Sequence, residues 1–156
     1  MKDITGTIRQ LAEEALPDSS LFIVHIYTSL SGRKQSIKIK IDGDQGVSID
    51  QCAQISRKVG RQLEEMDLIE NKYQLEVSSP GLEHPLSIDR QYPKNIGRLL
   101  NIEMNDGKLM KVRLDDVKNG KLTVSAVIEE KRKEVFLDPI EIPLDSIKQA
   151  KVLISF

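Results

Sequence analysis

Apolar side chains at Ile4, Ile8, Leu11, Ala12, Ala15 and Leu16 recur every three to four residues. That spacing predicts a helix, and Pro17 ends it. From Leu21 to Thr28 nearly every position is apolar, which predicts a strand covered on both faces with His25 as a buried, hydrogen-bonded structural histidine. A glycine-containing turn follows at Ser29–Arg33. Ile37, Ile39 and Ile41 then alternate with Ser36, Lys38 and Lys40, the period-two pattern of a strand with one wet face. The two strands are expected to pair as an antiparallel hairpin.

After a turn cluster at Asp42–Gly46, Ser48 and Gln51 have the spacing of a capping box. Cys52, Ile55, Val59, Leu63 and Met66 mark the buried face of the helix it would start. Tyr73, Leu75 and Val77 give a third strand. The order helix, strand, strand, helix, strand predicts a two-layer α/β domain of KH-like arrangement over residues 1–82.

Beyond Ile96 the helical period disappears. Leu100, Ile102 and Met104 alternate, as do Met110, Val112 and Leu114, with a turn at Asn105–Lys108 between them. Asn119-Gly120 is a strong hairpin signal. Leu122, Val124, Ala126 and Ile128 follow it, then a charged tip at Glu129–Glu134, a run from Val135 to Ile142, and a last strand from Ile147 to Ile154. Pro139 and Pro143 limit the Val135 run to a sheet edge or a break. Five short strands predict an SH3-like or Sm-like barrel over residues 83–156 and an α+β protein overall.

Composition narrows the function. The chain has 156 residues, 39% apolar and 30% charged, which is the range of folded domains. Lys plus Arg number 23 and Asp plus Glu 24, a net charge of -1, so any nucleic-acid contact must come from a local patch. Aromatics make up only 4%, which speaks against a base-stacking platform. One cysteine excludes an intrachain disulfide and fits a reducing, cytoplasmic setting. Cys52 reads as a small hydrophobe on a helix face, and two histidines with one cysteine match no zinc spacing. Neither a signal peptide nor a membrane-length apolar run is present.

The segment Val77-Ser78-Ser79-Pro80-Gly81-Leu82-Glu83-His84-Pro85-Leu86 ends the third strand abruptly. Pro80 fixes its own φ and holds Ser79 extended, Gly81 permits a left-handed turn, and Pro85 prevents helix. On turn chemistry alone this is a rigid inter-domain linker. Ser78 or Ser79 beside His84 would also suit a small hydrolase, but there is no nucleophile elbow and no third member.

The same string resembles the motif of the RimP family of bacterial ribosome maturation factors, Val-Ser-Ser-Pro-Gly-Leu-Asp-Arg-Pro-Leu. Val77 to Leu82, Pro85 and Leu86 match it, whereas Glu83-His84 replaces the family's Asp-Arg. Ile96-Gly97-Arg98 and the stretch from Ile142-Pro143-Leu144 to Ala150 are similar to further family patterns. The resemblance implies an α/β domain followed by a barrel, and a monomeric, non-catalytic cytoplasmic protein without cofactor or metal. It implies action on precursors of the small ribosomal subunit, where such factors promote incorporation of small-subunit protein twelve and maturation of the nearby ribosomal RNA.

Three groups of residues are candidates for that work. The motif loop offers Ser78, Ser79, Pro80, Gly81, Leu82, His84 and Pro85 for partner binding. Turn acids Asp106, Asp115 and Asp116 are candidates for contact with a basic ribosomal protein. Lys38 and Lys40 on a strand, with Arg57, Lys58 and Arg61 on the second helix, are candidates for RNA contact. Ordinary solvated surface, and an Arg61–Glu65 pair along the helix, are the bland alternatives. The rival function is a generic RNA-binding module.

Overall fold

Ile37, Ile39 and Ile41 are completely buried, and they organise the first of two compact units, Met1–Pro80 and Gly81–Phe156. The structure, a computed structural model, describes residues 4–69, 72–81 and 84–153. In the first unit, helix α1 (Thr5–Ala15) precedes strands β1 (Leu21–Ser31) and β2 (Lys34–Gly43), then helix α2 (Ile49–Met66) and strand β3 (Tyr73–Ser78). The sheet order is β1-β2-β3, with β1 antiparallel and β3 parallel to β2. Ile8, Leu11 and Ala12 of α1 and Ile55, Val59 and Leu63 of α2 bury against the three isoleucines, so both helices cover the same sheet face.

The capping box forms as the sequence predicts. Ser48 Oγ accepts from Gln51 N–H at 3.0 Å, and Gln51 Oε1 accepts from Ser48 N–H at 2.9 Å. Two orphan donors of the first turn are thereby satisfied. At the other end Met66 is 49% exposed rather than buried. The helix stops there, with Asp67 turning left-handed at φ 47°, so the expected face has no further turn to continue on.

β1 departs from expectation more instructively. It is not covered on both faces: His25 and Tyr27 are exposed. Ile23 pairs with Ile41 and His25 with Lys40, so Val24 is an extra residue, a bulge. The bulge brings Ile23 and Ile26, of opposite parity, onto the same core face. A continuous apolar run therefore arises from one buried face plus a bulge, and the reading of His25 as a buried histidine is incorrect.

The second unit is an antiparallel sheet of β4 (Leu99–Met104), β5 (Leu109–Lys118), β6 (Lys121–Glu130), β7 (Lys133–Pro143) and β8 (Ile147–Val152), in the order β7-β6-β5-β4-β8. Residue 154, the expected end of the last strand, lies outside the described residues. Asn119 and Gly120 both take positive φ, 52° and 76°, the mirror-image turn that suits twisted hairpins. β7 lies at the sheet edge, where Pro139 and Pro143 cost no ladder bonds. Leu100, Ile102, Val112, Leu114, Leu122, Val124, Ile142 and Ala150 form the core.

Among the described residues no ladder joins β7 to β8, so the sheet is open by hydrogen bonding. It is nevertheless curled. Only Leu144–Ser146, a single 3₁₀ turn, separates the two outermost strands. Four peptide steps span at most about 15 Å, whereas four strand spacings in a flat sheet are about 19 Å.

Candidate functional site

Ser78, the last residue of β3, pairs in register with Lys40 of β2. Its hydroxyl accepts a 2.8 Å hydrogen bond from Lys40 Nζ, which anchors the ammonium beside the start of the motif loop. Ser79, Gly81 and His84 are exposed, whereas Pro80 and Pro85 are half-buried. His84 N–H donates to the Gly81 carbonyl at 2.9 Å. Leu82 of the candidate loop, and Glu83, lie outside the described residues. Gly81 is not in the left-handed region, and a Cβ built there meets nothing within 4 Å. The expected left-handed turn is thus corrected: neither φ nor space at Gly81 demands glycine.

Beyond the loop the chain is pinned by polar contacts that the sequence reading missed. Leu86 N–H donates to the Ala150 carbonyl at 2.8 Å. Gln91 is buried, and its Oε1 accepts from Ser87 N–H at 2.8 Å and Ile88 N–H at 3.1 Å. Asn95, also buried, donates from Nδ2 to the Gln91 carbonyl at 2.8 Å. Tyr92 packs into the core between them, and burial, then the charge of Asp89, pushes its phenol up to about 12. Gly97 takes φ 93°, and its N–H donates to the Leu114 carbonyl at 2.7 Å. Residues 96–98, which carry part of the family resemblance, thus hold the entry to β4.

The cationic candidates are split. Lys38 and Lys40 project from the sheet face opposite the buried isoleucines, and Arg57, Lys58 and Arg61 from the solvent side of α2, which packs on the isoleucine face. They occupy opposite sides of the two-layer unit. No ion pair joins Arg61 to Glu65 among the described residues.

The acidic candidates are also not one site. Asp106 sits in the β4–β5 turn, where its Oδ1 accepts from Lys108 N–H at 2.9 Å. Asp116 lies near the far end of β5, a strand length of roughly 24 Å away, and is exposed. Asp115 is only 20% exposed at its side chain and is bonded at 2.6 Å to Arg113 Nε. Burial opposes its charge, but the Ser125 hydroxyl, then the Arg113 hydrogen bond and charge, outweigh that and hold the carboxyl below its usual value. Arg113 also lies over the Phe136 ring, 4.3 Å from its centroid. Asp115 is therefore engaged inside its own unit, while Asp106 and Asp116 face outward.

Cys52 is buried, and burial raises its thiol pKa. Among the described residues no cluster of His, Cys, Asp or Glu could hold a metal ion, and no helix is long and apolar enough to cross a membrane.

Comparison with known proteins identifies a family and relatives. The family model for the RimP N-terminal domain matches residues 11–83. The ribosome maturation factor RimP of Cytophaga hutchinsonii is 33% identical over 147 residues, covering 88% of this chain and 88% of its own length.

Proposed function

The chain belongs to the RimP family, and on that premise we propose that it is a non-catalytic ribosome maturation factor for the small subunit. It binds precursor subunits and assists incorporation of small-subunit protein twelve. The observation that carries this is similarity along 88% of both chains to a relative named for ribosome maturation. The motif Val77–Leu86, in which Ser78 is tied to Lys40, adds support. In this reading the curled sheet of the second unit serves as an SH3-like or Sm-like barrel, supported by the short link between β7 and β8.

Partner contacts are assigned by exposure. Ser79, Gly81 and His84 present the motif loop, and Asp106 and Asp116 are the acids free to meet a basic protein. Asp115 is left out of this group, because Arg113 and Ser125 already engage it. Lys38 and Lys40, or Arg57, Lys58 and Arg61, are the cations available for ribosomal RNA.

The direct test is binding of purified immature small subunits that lack protein twelve. The protein should retain them in preference to mature subunits, and Asp106→Lys with Asp116→Lys should reduce capture of protein twelve by about tenfold through charge reversal. Equal affinity for mature subunits and for unrelated RNA would favour the generic RNA-binding module instead.

A further inference from the structure

Both helices of the first unit pack on one face of its sheet, and the opposite face has a composition that the linear sequence hides. His25 and Tyr27 of β1 lie there two residues apart, both exposed, with ring centroids 4.0 Å apart and planes inclined by 58°. Across the ladder His25 is paired with Lys40, and Tyr27 with Lys38. Directly opposed side chains on one sheet face lie about 5 Å apart at Cβ. Two aromatic rings therefore alternate with two ammonium groups in one small patch. Lys40 is steadied by Ser78, and Glu76, opposite Lys38 on β3, is the acid at the patch's far side.

We propose that this face holds a single-stranded RNA segment, with a base stacked on the Tyr27 ring beside His25 and neighbouring phosphates at Lys38 and Lys40. The inference rests on the RNA-contact reading of Lys38 and Lys40 given above, and it specifies the strand state that this reading leaves open. Rings recognise unpaired bases, because the base faces of an A-form duplex are already stacked and its major groove is too narrow for side chains. Lysines at a fixed spacing from the rings then engage the backbone, the arrangement by which sequence-tolerant binders hold single strands. An acidic protein would satisfy the lysines alone and leave the rings without a role. The scarcity of aromatics does not count against the site, since the bulge at Val24 turns Tyr27, with His25 beside it, out from the core face.

The test is fluorescence anisotropy of the full chain with a labelled short oligouridine and with an RNA hairpin duplex of equal length. The single strand should bind more tightly. Tyr27→Ala should weaken it by on the order of tenfold, the usual loss for one stacked base, while Tyr27→Phe should retain affinity. Lys38→Gln with Lys40→Gln should lower the slope of log affinity against log salt by about 1.4, from 0.7 per phosphate contact on single strands. Unchanged thermal melts for these variants would verify the fold. If the lysine variant weakens binding but Tyr27→Ala does not, stacking is refuted and RNA contact stands. If the wild-type chain binds neither the oligouridine nor the duplex, both readings fall. Tighter binding of the duplex, or loss of protein-twelve capture instead of RNA binding in Tyr27→Ala, would also overturn the proposal.

Discussion

Neighbouring side chains of the same type do different work here, and the difference lies in what each touches. Asp115 and Asp116 are adjacent acids, yet one is bound by Arg113 and Ser125 and the other faces solvent. Composition and spacing could not separate them, because one partner, Ser125, comes from β6 across the ladder. The lowered pKa of Asp115 sets the sign of its pH dependence. Its contribution is complete above the ordinary value of 3.8 and is lost as pH falls through the depressed folded value. Asp115→Asn should therefore cost about 1–2 kcal/mol at neutral pH, with urea unfolding showing the gap to wild type closing in acid. Tyr92 has the opposite dependence. Its raised value keeps the neutral phenol in the fold, so that stability is intact below pH 10 and lost as pH rises toward about 12. In tyrosinate absorbance the latest ionisation should be absent from Tyr92→Phe, while the delay at Tyr73, raised by burial and then Glu64, persists. Gly81→Ala should leave the melting temperature within about 0.5 kcal/mol equivalent, since it creates neither clash nor strain. A functional defect in that variant with a normal melt would place a partner against Gly81.

Helices and hairpins were the most readable part of the sequence. α2 could be placed because its start is a local exchange between Ser48 and Gln51, and local exchanges leave a spacing. The Asn119–Gly120 hairpin was readable for the same reason, and the edge position of β7 followed from its prolines. What was not readable depends on distant register. The bulge in β1 has no composition of its own; it is visible only once Ile23 and Ile26 are seen to face the same core. The segment after the motif loop reads as irregular because its order comes from Gln91 and Asn95 bonding to backbone, not from a period. Removing the capping hydroxyl with Ser48→Ala should lower stability by about 1 kcal/mol in chemical denaturation. Gly43→Ala should cost more, about 1–3 kcal/mol, because an added Cβ would run into the Gly46 carbonyl and lie 2.7 Å from Leu21 Cδ2.

Each of the two units carries its own apolar core, one built on Ile37, Ile39 and Ile41 and the other on Leu100, Ile102, Val112 and Leu114. Alternation alone identified most of those positions. The candidate surfaces were less readable because charge is spread evenly along the chain, so linear proximity groups residues that the fold separates. Lys38 and Lys40 are separated from Arg57 and Arg61 by the thickness of the first unit, and Asp106 from Asp116 by a strand length. The proposed function asks for surfaces of this kind, dispersed over two units and read by a large partner. The measurement that bears most directly on this role is the distribution of ribosomal particles in cells lacking the gene. The account predicts a deficit of mature small subunits with free large subunits in excess, reversed by restoring the gene. An unchanged particle profile in the deleted strain would contradict it.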